Sequence, residues 1–268
     1  MTTEHTSTRR FRSVDWLTVA LVLGGLLVAY YLLPLASLLL SASPSAVVGR
    51  LAEPAIQSAA TTSLVSASLT TVLATALGLP LAYWLARAET PWTRVVLAVV
   101  VLPLVLPPTV GGVVLLTVFG PNTVIGDAAA SAGLPLTRSL AGVVLAQTFV
   151  ASPFVVVTAK AAFESVDQTL EYASRSLGKS RLTTARNVTL PLAGPGILAG
   201  VTLAFARSIG EFGATMMVSY YPRTMPVEIW VSFVSLGLEE AYPVAILLVG
   251  ISALALLVLH TVARNPWQ

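Results

Sequence analysis

Six apolar runs, each near or above the ~20 residues one α-helix needs to cross a bilayer, constrain this chain more than any other feature. They fall roughly at Val14–Leu40, Ile56–Ala86, Val95–Phe119, Leu140–Phe163, Leu192–Tyr220 and Ala241–Val262. Only 10% of the 268 residues are charged and 56% are hydrophobic, whereas a water-soluble domain carries about 25% charged residues. So few ionic groups cannot cover a water-facing surface, and lipid is the natural solvent for what remains. The expected fold is all-α: a polytopic bundle of six transmembrane helices.

The rest of the inventory excludes whole classes of chemistry. The chain has no cysteine, so disulfides and thiolate metal sites are absent. Its two histidines, His5 and His260, stand near opposite ends, which leaves no His-based metal centre and no Ser-His-Asp site. No cofactor is expected. The net charge of +3 is small and its bases sit between apolar segments, so no nucleic-acid partner is expected.

Proline recurs inside the runs, at Pro80, Pro103, Pro107 and Pro108. Membrane helices tolerate this where neighbours re-satisfy the freed backbone groups. The stretch PLVLPP, Pro103–Pro108, is the place where a kink is expected. Lys and Arg set the orientation. One side collects Arg9, Arg10, Arg12, Arg87, Arg94, Lys160, Arg175, Lys179, Arg181, Arg186 and Arg264; the other has Arg50, Arg138 and Arg223. The rich side reads as cytoplasmic, with both termini on it. Arg9-Arg10 before an apolar run, with Ser41-Ala42-Ser43 after it, has the outline of a cleavable signal. The run is nearly twice the usual 7–15 residues of such a segment, which favours a retained helix.

One loop on the basic side is long: Glu164 to Gly196, ESVDQTLEYASRSLGKSRLTTARNVTLPLAGPG. Leu170, Ala173 and Leu177 share one face of a short helix. Its acids lie early and its bases late, which suits the helix dipole. Gly178 provides the stop. A second short helix is expected from Ser180 to about Val188, with Leu190-Pro191 re-entering the membrane. The loop reads either as an amphipathic segment lying on the membrane or as a helix–turn–helix elbow that fits a cytosolic partner.

This loop resembles the signature loop of binding-protein-dependent ABC importer permeases. Their pattern is Glu-Ala-Ala, three residues, Gly, nine residues, then Ile-x-Leu-Pro. Ala173 falls on the first Ala, Gly178 on the Gly, Val188 on the Ile, and Leu190-Pro191 on the Leu-Pro. Tyr172 stands where the pattern has Glu, and Ser174 replaces the second Ala. Glu171 is one residue early, which turns it about 100° around a helix.

The fifth run contains FARSIGEFGATMM, Phe205–Met217. Arg207 and Glu211 are ionisable inside an apolar segment, and intramembrane charges usually face a bundle interior or a watery cavity. Their i, i+4 spacing lets them pair. That pair serves either packing alone or the transport path. Gly210 and Gly213 flank the acid and allow close approach or a local break. The phrase Gly210-Glu211-Phe212-Gly213-Ala214 is similar to the matching span of permeases in molybdate, tungstate and sulfate importers. Leu102–Gly112, LPLVLPPTVGG, resembles the molybdate members in particular.

The resemblance spans roughly Ala55 to Val262 and implies a type I ABC importer permease architecture: a permease core at 55–262 with a coupling loop at 164–196. Outside it lie a tail at 1–13, a first helix at 14–40 and a tail at 263–268. It further implies a homodimer, cytosolic ATP-binding-cassette ATPase subunits docked on the elbow, and an extracytoplasmic binding protein. That protein would deliver the oxyanion to the loops near Pro121–Thr137 and Tyr221–Tyr242. Glu171, Tyr172, Ala173, Ser174, Gly178, Val188, Leu190 and Pro191 would form the coupling contact. Arg207, Gly210, Glu211, Phe212, Gly213, Thr215, Pro107, Pro108 and Thr109 would form the path or gate. The chain would not be an enzyme: Gly178-Lys179-Ser180 ends like a phosphate-binding loop but lacks its preceding glycine. The alternative is a stand-alone secondary transporter of a small anion, which should show internal repeats; the two halves show no convincing one.

Overall fold

The computed structural model describes the backbone of residues 16–264 and side chains up to residue 258. The chain divides into two units. The first contains α1 (Trp16–Leu40), a continuous 25-residue helix with Pro34 inside and apolar residues on every side, as a helix surrounded by lipid or protein requires. Residues 1–13, with His5, Arg9, Arg10 and Arg12, lie outside the described residues, as do residues 265–268 of the expected C-terminal tail.

The second unit holds α2 (Pro44–Leu51), α3 (Pro54–Arg87), α4 (Trp92–Val105), α5 (Pro108–Phe119), α6 (Val124–Ser131) and α7 (Leu140–Glu164). There follow α8 (Gln168–Ser176), α9 (Arg181–Thr184), a π-helical turn at Ala185–Thr189, α10 (Leu190–Ile209), α11 (Gly213–Val218), α12 (Met225–Leu236) and α13 (Leu238–Arg264). No strand occurs among the described residues. Among the described residues, five helical stretches are long and apolar enough to cross a membrane, and the bent pair α4–α5, counted as one span, makes a sixth.

The bend at α4–α5 is 119°, far more than the kink expected of PLVLPP. Pro103 sits inside α4 without breaking it. The tandem Pro107-Pro108 does the breaking, because a residue before proline is pushed out of the α region. Leu106 precedes Pro107 and has ψ 135; Pro107 precedes Pro108 and has ψ 133. Neither half, at 14 and 12 residues, spans the ~30 Å of hydrocarbon alone.

Packing shows that the broken pair nevertheless carries the chain from one end of the bundle to the other. Thr70 donates to Gln147 Oε1 at 3.0 Å, Ala74 packs with Ala151 and Val155, and Ala82 and Leu85 pack with Val156, Ala159 and Phe163. Positions rise together, so α3 and α7 run parallel. A chain leaving α3 at Arg87 must therefore return to the opposite end before α7 begins. On α10, Gly200 packs against Thr158 and Phe154, and Gly196 against Ala162, so α10 is antiparallel to α7. On α13, Val244 meets Ile56 and Ala59, while Ile251 and Ala255 meet Ala67, so α13 runs with α3. The core lies between α3, α7 and α10, where small residues let the backbones approach.

The sixth run is longer than its expected bounds: α13 begins at Leu238 and continues to Arg264. The stretch Tyr221–Tyr242, expected as a loop, holds the 12-residue apolar helix α12. Pro226 stands in its first turn, where a missing N–H costs nothing. Gly237, at φ +101, ends it in a conformation that side chains disfavour.

Candidate functional site: an exposed elbow and a paired helix break

The elbow forms at the Arg87 end of the bundle. Asp167 caps α8 by accepting from the Thr169 N–H at 2.8 Å. That bond favours the charged carboxylate and holds its pKa below the usual value. Gly178 has φ +81, and a Cβ there would touch nothing within 4 Å. The glycine therefore serves conformation, not space. Ser180 then caps the next helix by accepting from Thr183 N at 3.1 Å.

The second short helix expected at Ser180–Val188 is not separate. Arg181 to Ile209 form one helical span. Pro191 has no N–H to offer the carbonyl four residues back. A π turn lies just ahead of it, with Leu190 N–H bonding Ala185 O, so the pairing shifts rather than stops.

The elbow is turned inside out relative to a soluble helix. Leu170 and Ala173 are exposed, Leu177 and Leu182 are each 81% exposed, and Tyr172 stands outward with its hydroxyl 3.2 Å from Gln168 Oε1. Of the polar residues of α8, Glu171 and Ser174 turn toward the bundle, while Gln168, Thr169 and Arg175 are exposed. Ser174 Oγ lies 3.0 Å from Thr184 Oγ1. Glu171 points away from the exposed face: its Oε1 meets Arg87 Nη2 at 2.6 Å and accepts from Thr189 Oγ1 at 2.9 Å. Val188 and Pro191 are half-buried where the span enters the bundle, and Leu190 is exposed.

The second site lies where α10 gives way to α11. Ile209 ends α10; Gly210, Glu211 and Phe212 bridge to Gly213. Glu211 is 1% exposed. Its Oε2 pairs with Arg207 Nη2, and its Oε1 accepts the Ala214 N–H at 2.7 Å. The carboxylate thus neutralises the only arginine in this span's apolar stretch and satisfies a backbone donor freed by the break. Arg207 keeps 27% of its side chain exposed, so the pair is buried on its acidic side and open on its basic side.

The α4–α5 break packs on this one. A Cβ on Gly213 would lie 3.0 Å from Pro108 Cβ and 3.1 Å from Thr109 N. One on Gly112 would lie 2.7 Å from Met217 Cβ and 3.0 Å from Ala214 O. Pro108, Thr109, Gly213 and Glu211, far apart in sequence, are therefore neighbours. Thr215 is fully buried and its hydroxyl has no partner, whereas Pro107 and Thr109 are exposed.

Helix α12 completes the region and was not foreseen. Phe212 lies 5.8 Å from Trp230, and Trp230 lies 6.1 Å from Phe233, centroid to centroid. With Gly210, Ile229 and Leu248 they help line a cavity of about 390 Å³. Polar clamps hold the helix: Met225 N–H donates to Ser63 Oγ at 2.8 Å, Arg50 to Ser232 Oγ at 3.0 Å, and Arg223 to Glu228 at 3.1 Å. Burial works to lower the Arg223 pKa, but the hydrogen bond and charge of Glu228, with Tyr220, raise it overall. The signal was present in MPVEIWVSFVSLG: a proline at the start, apolar residues through the middle, a glycine at the end.

Residues 74–265 match the family described as the binding-protein-dependent transport system inner membrane component. The chain is 54% identical over 253 residues to the probable molybdenum ABC transporter permease protein of Haloferax volcanii, covering 94% of this chain and 93% of that one. It is 38% identical over 241 residues to the molybdate/tungstate transport system permease protein of Pyrococcus furiosus, covering 89% and 92%. In three dimensions it aligns, at a TM-score of 0.73 and 16% identity, with a chain of a bacterial ABC transporter that imports the acidic polysaccharide alginate, covering 95% of this chain and 97% of that one. The likeness to that importer shows the fold, the all-α type I permease architecture. The family match and the near full-length relatives go further: this multi-pass membrane chain belongs to the inner-membrane components of binding-protein-dependent transport systems.

Proposed function

We propose that this chain is the membrane-spanning permease subunit of an ATP-driven importer that moves an oxyanion, molybdate or tungstate first and sulfate next. The observation that carries the substrate class is the 54% identity, over 94% of the chain, to a relative named for molybdenum. Two copies of the chain form the path, and a cytosolic ATPase docks on each elbow. An extracytoplasmic binding protein delivers the anion at the Arg50 end. Both termini lie in the cytoplasm, on the side of the basic loops. ATP is hydrolysed on the partner.

The geometry supports this division of labour. The solvent-exposed apolar residues of the elbow, Leu170, Tyr172, Ala173, Leu177 and Leu182, form the kind of patch that marks a contact with a partner protein. The paired breaks supply a place where irregular backbone lies deep in the span, which is tolerated where it is buried in protein or lines a watery path. Arg207, Gly210, Glu211, Phe212, Gly213, Thr215, Pro107, Pro108 and Thr109 form the gate in this reading. Arg207 is partly neutralised by Glu211, so a passing dianion meets a weak site that it can leave, as transport demands.

The test is substrate competition. The permease, its ATPase and its binding protein are reconstituted in liposomes, and ATP-driven uptake of labelled molybdate is measured. Excess tungstate should abolish uptake and excess sulfate should reduce it less. Uptake indifferent to tungstate would defeat the substrate assignment.

A further inference from the structure

We infer that Arg87, Glu171 and Thr189 form a latch that ties the coupling helix α8 to the inner end of α3, and that Arg87 and Glu171 are positioning residues for coupling. The inference rests on the reading of the elbow as the ATPase dock.

A single carboxylate oxygen, Glu171 Oε1, takes three donors: Arg87 Nη2 at 2.6 Å, Arg87 Nε at 3.2 Å and Thr189 Oγ1 at 2.9 Å. Both charged side chains are largely buried, 14% exposed for Arg87 and 12% for Glu171. The arginine is itself held. Its Nη2 reaches Val166 O at 3.5 Å, in the turn between α7 and α8. Its guanidinium lies 6.0 Å from the Tyr83 ring centroid, and Tyr83 packs edge-on against Phe163 at 5.4 Å. Arg87 thus joins the end of α3, the end of α7, helix α8 and the turn that opens α10.

The apolar residues of α8 and its C-terminal cap cannot serve this purpose, because Leu170, Ala173 and Leu177 are exposed. The helix is held to the bundle by polar side chains, chiefly Glu171 and Ser174. A push on its outer face therefore reaches α3 through the Arg87–Glu171 bond. Because α3 packs along α7 and α10, that bond delivers the movement to the core. The carboxylate that the loop pattern places at Tyr172 is thus displaced by one residue and turned inward. It serves the permease itself, not the ATPase.

A double-mutant cycle in the reconstituted complex tests this. Glu171→Gln, Arg87→Gln and the double variant are compared with the parent for ATPase retained on purification and for molybdate taken up per ATP hydrolysed. Each single variant should retain the ATPase and lower uptake per ATP about tenfold, a coupling loss typical of linked sites. The double should lose no more than the worse single, since the two act as one unit. Release of the ATPase by Glu171→Gln, parental uptake per ATP in the singles, or losses that multiply in the double would each overturn the latch. Leu177→Asp, on the exposed face, should release the ATPase. If it does not, the docking reading fails, and the cycle still reports on the bond.

Discussion

At the level of single residues, the pair Arg207–Glu211 does two jobs that its spacing alone did not reveal. Sequence pattern located the pair and its face; the capping of α11 through Ala214 was hidden because it depends on where the helix breaks. The two partners differ in burial, and so should their substitutions. Arg207→Met strands a carboxylate that is 1% exposed, and breaking a buried pair this way costs about 3–5 kcal/mol. Glu211→Gln keeps an oxygen for Ala214 and leaves an arginine with an open side, so it should cost clearly less. Thermal unfolding of the purified variants will show the order, and a larger loss in Glu211→Gln would contradict this account of the burial. The double variant Arg207→Met/Glu211→Gln should assemble and yet transport poorly; transport at the parental rate would make the pair a packing device alone. Gly178 gives a second residue-level prediction. At φ +81, Gly178→Val incurs about 1–2 kcal/mol of backbone strain. It should abolish association with the ATPase while membrane insertion survives, as read by pull-down from solubilised membranes. Full association would count against the elbow geometry.

At the level of elements, the spans were legible because lipid imposes a length and a polarity that soluble folds do not. Four of the six runs match single helices to within a few residues or extend them slightly, whereas the third and the fifth are each interrupted, at Leu106–Pro107 and at Gly210–Phe212. The elbow was legible too, through Asp167, Gly178 and Ser180, whose roles are local. What failed was the relation between neighbours. The 119° turn at Leu106–Pro108 comes from two successive prolines acting together, which a search for single helix breakers underestimates. Helix α12 was missed because 12 residues fall short of a span and its clamps to Ser63 and Arg50 come from distant sequence. The contact between the two breaks depends on Gly112 and Gly213 having no side chains. Gly112→Val should force Met217 and the α11 backbone apart, and overpacking of this kind costs about 1–3 kcal/mol. Its melting temperature in detergent should fall below that of Gly250→Val, where a Cβ meets nothing within 4 Å. Equal melting temperatures would mean that the breaks do not pack as described.

At the level of the whole molecule, parallel α3, α7 and α13 against antiparallel α10 place the elbow and the end of α13 at the same end of the bundle. In the orientation proposed above from the lopsided distribution of Lys and Arg, that end faces the cytoplasm. Cysteines introduced by Ser7→Cys and Asn265→Cys, in a chain that has none of its own, should resist a membrane-impermeant reagent in sealed right-side-out vesicles; labelling of either would overturn the orientation. An importer permease and a self-sufficient carrier differ in what drives them, and that difference tests the account most directly. Labelled molybdate uptake is measured in proteoliposomes holding this chain with its binding protein, with and without the ATPase subunit. Uptake should require both the ATPase and ATP, and should not respond to an imposed proton or sodium gradient. Gradient-driven uptake by the permease without its ATPase would contradict it.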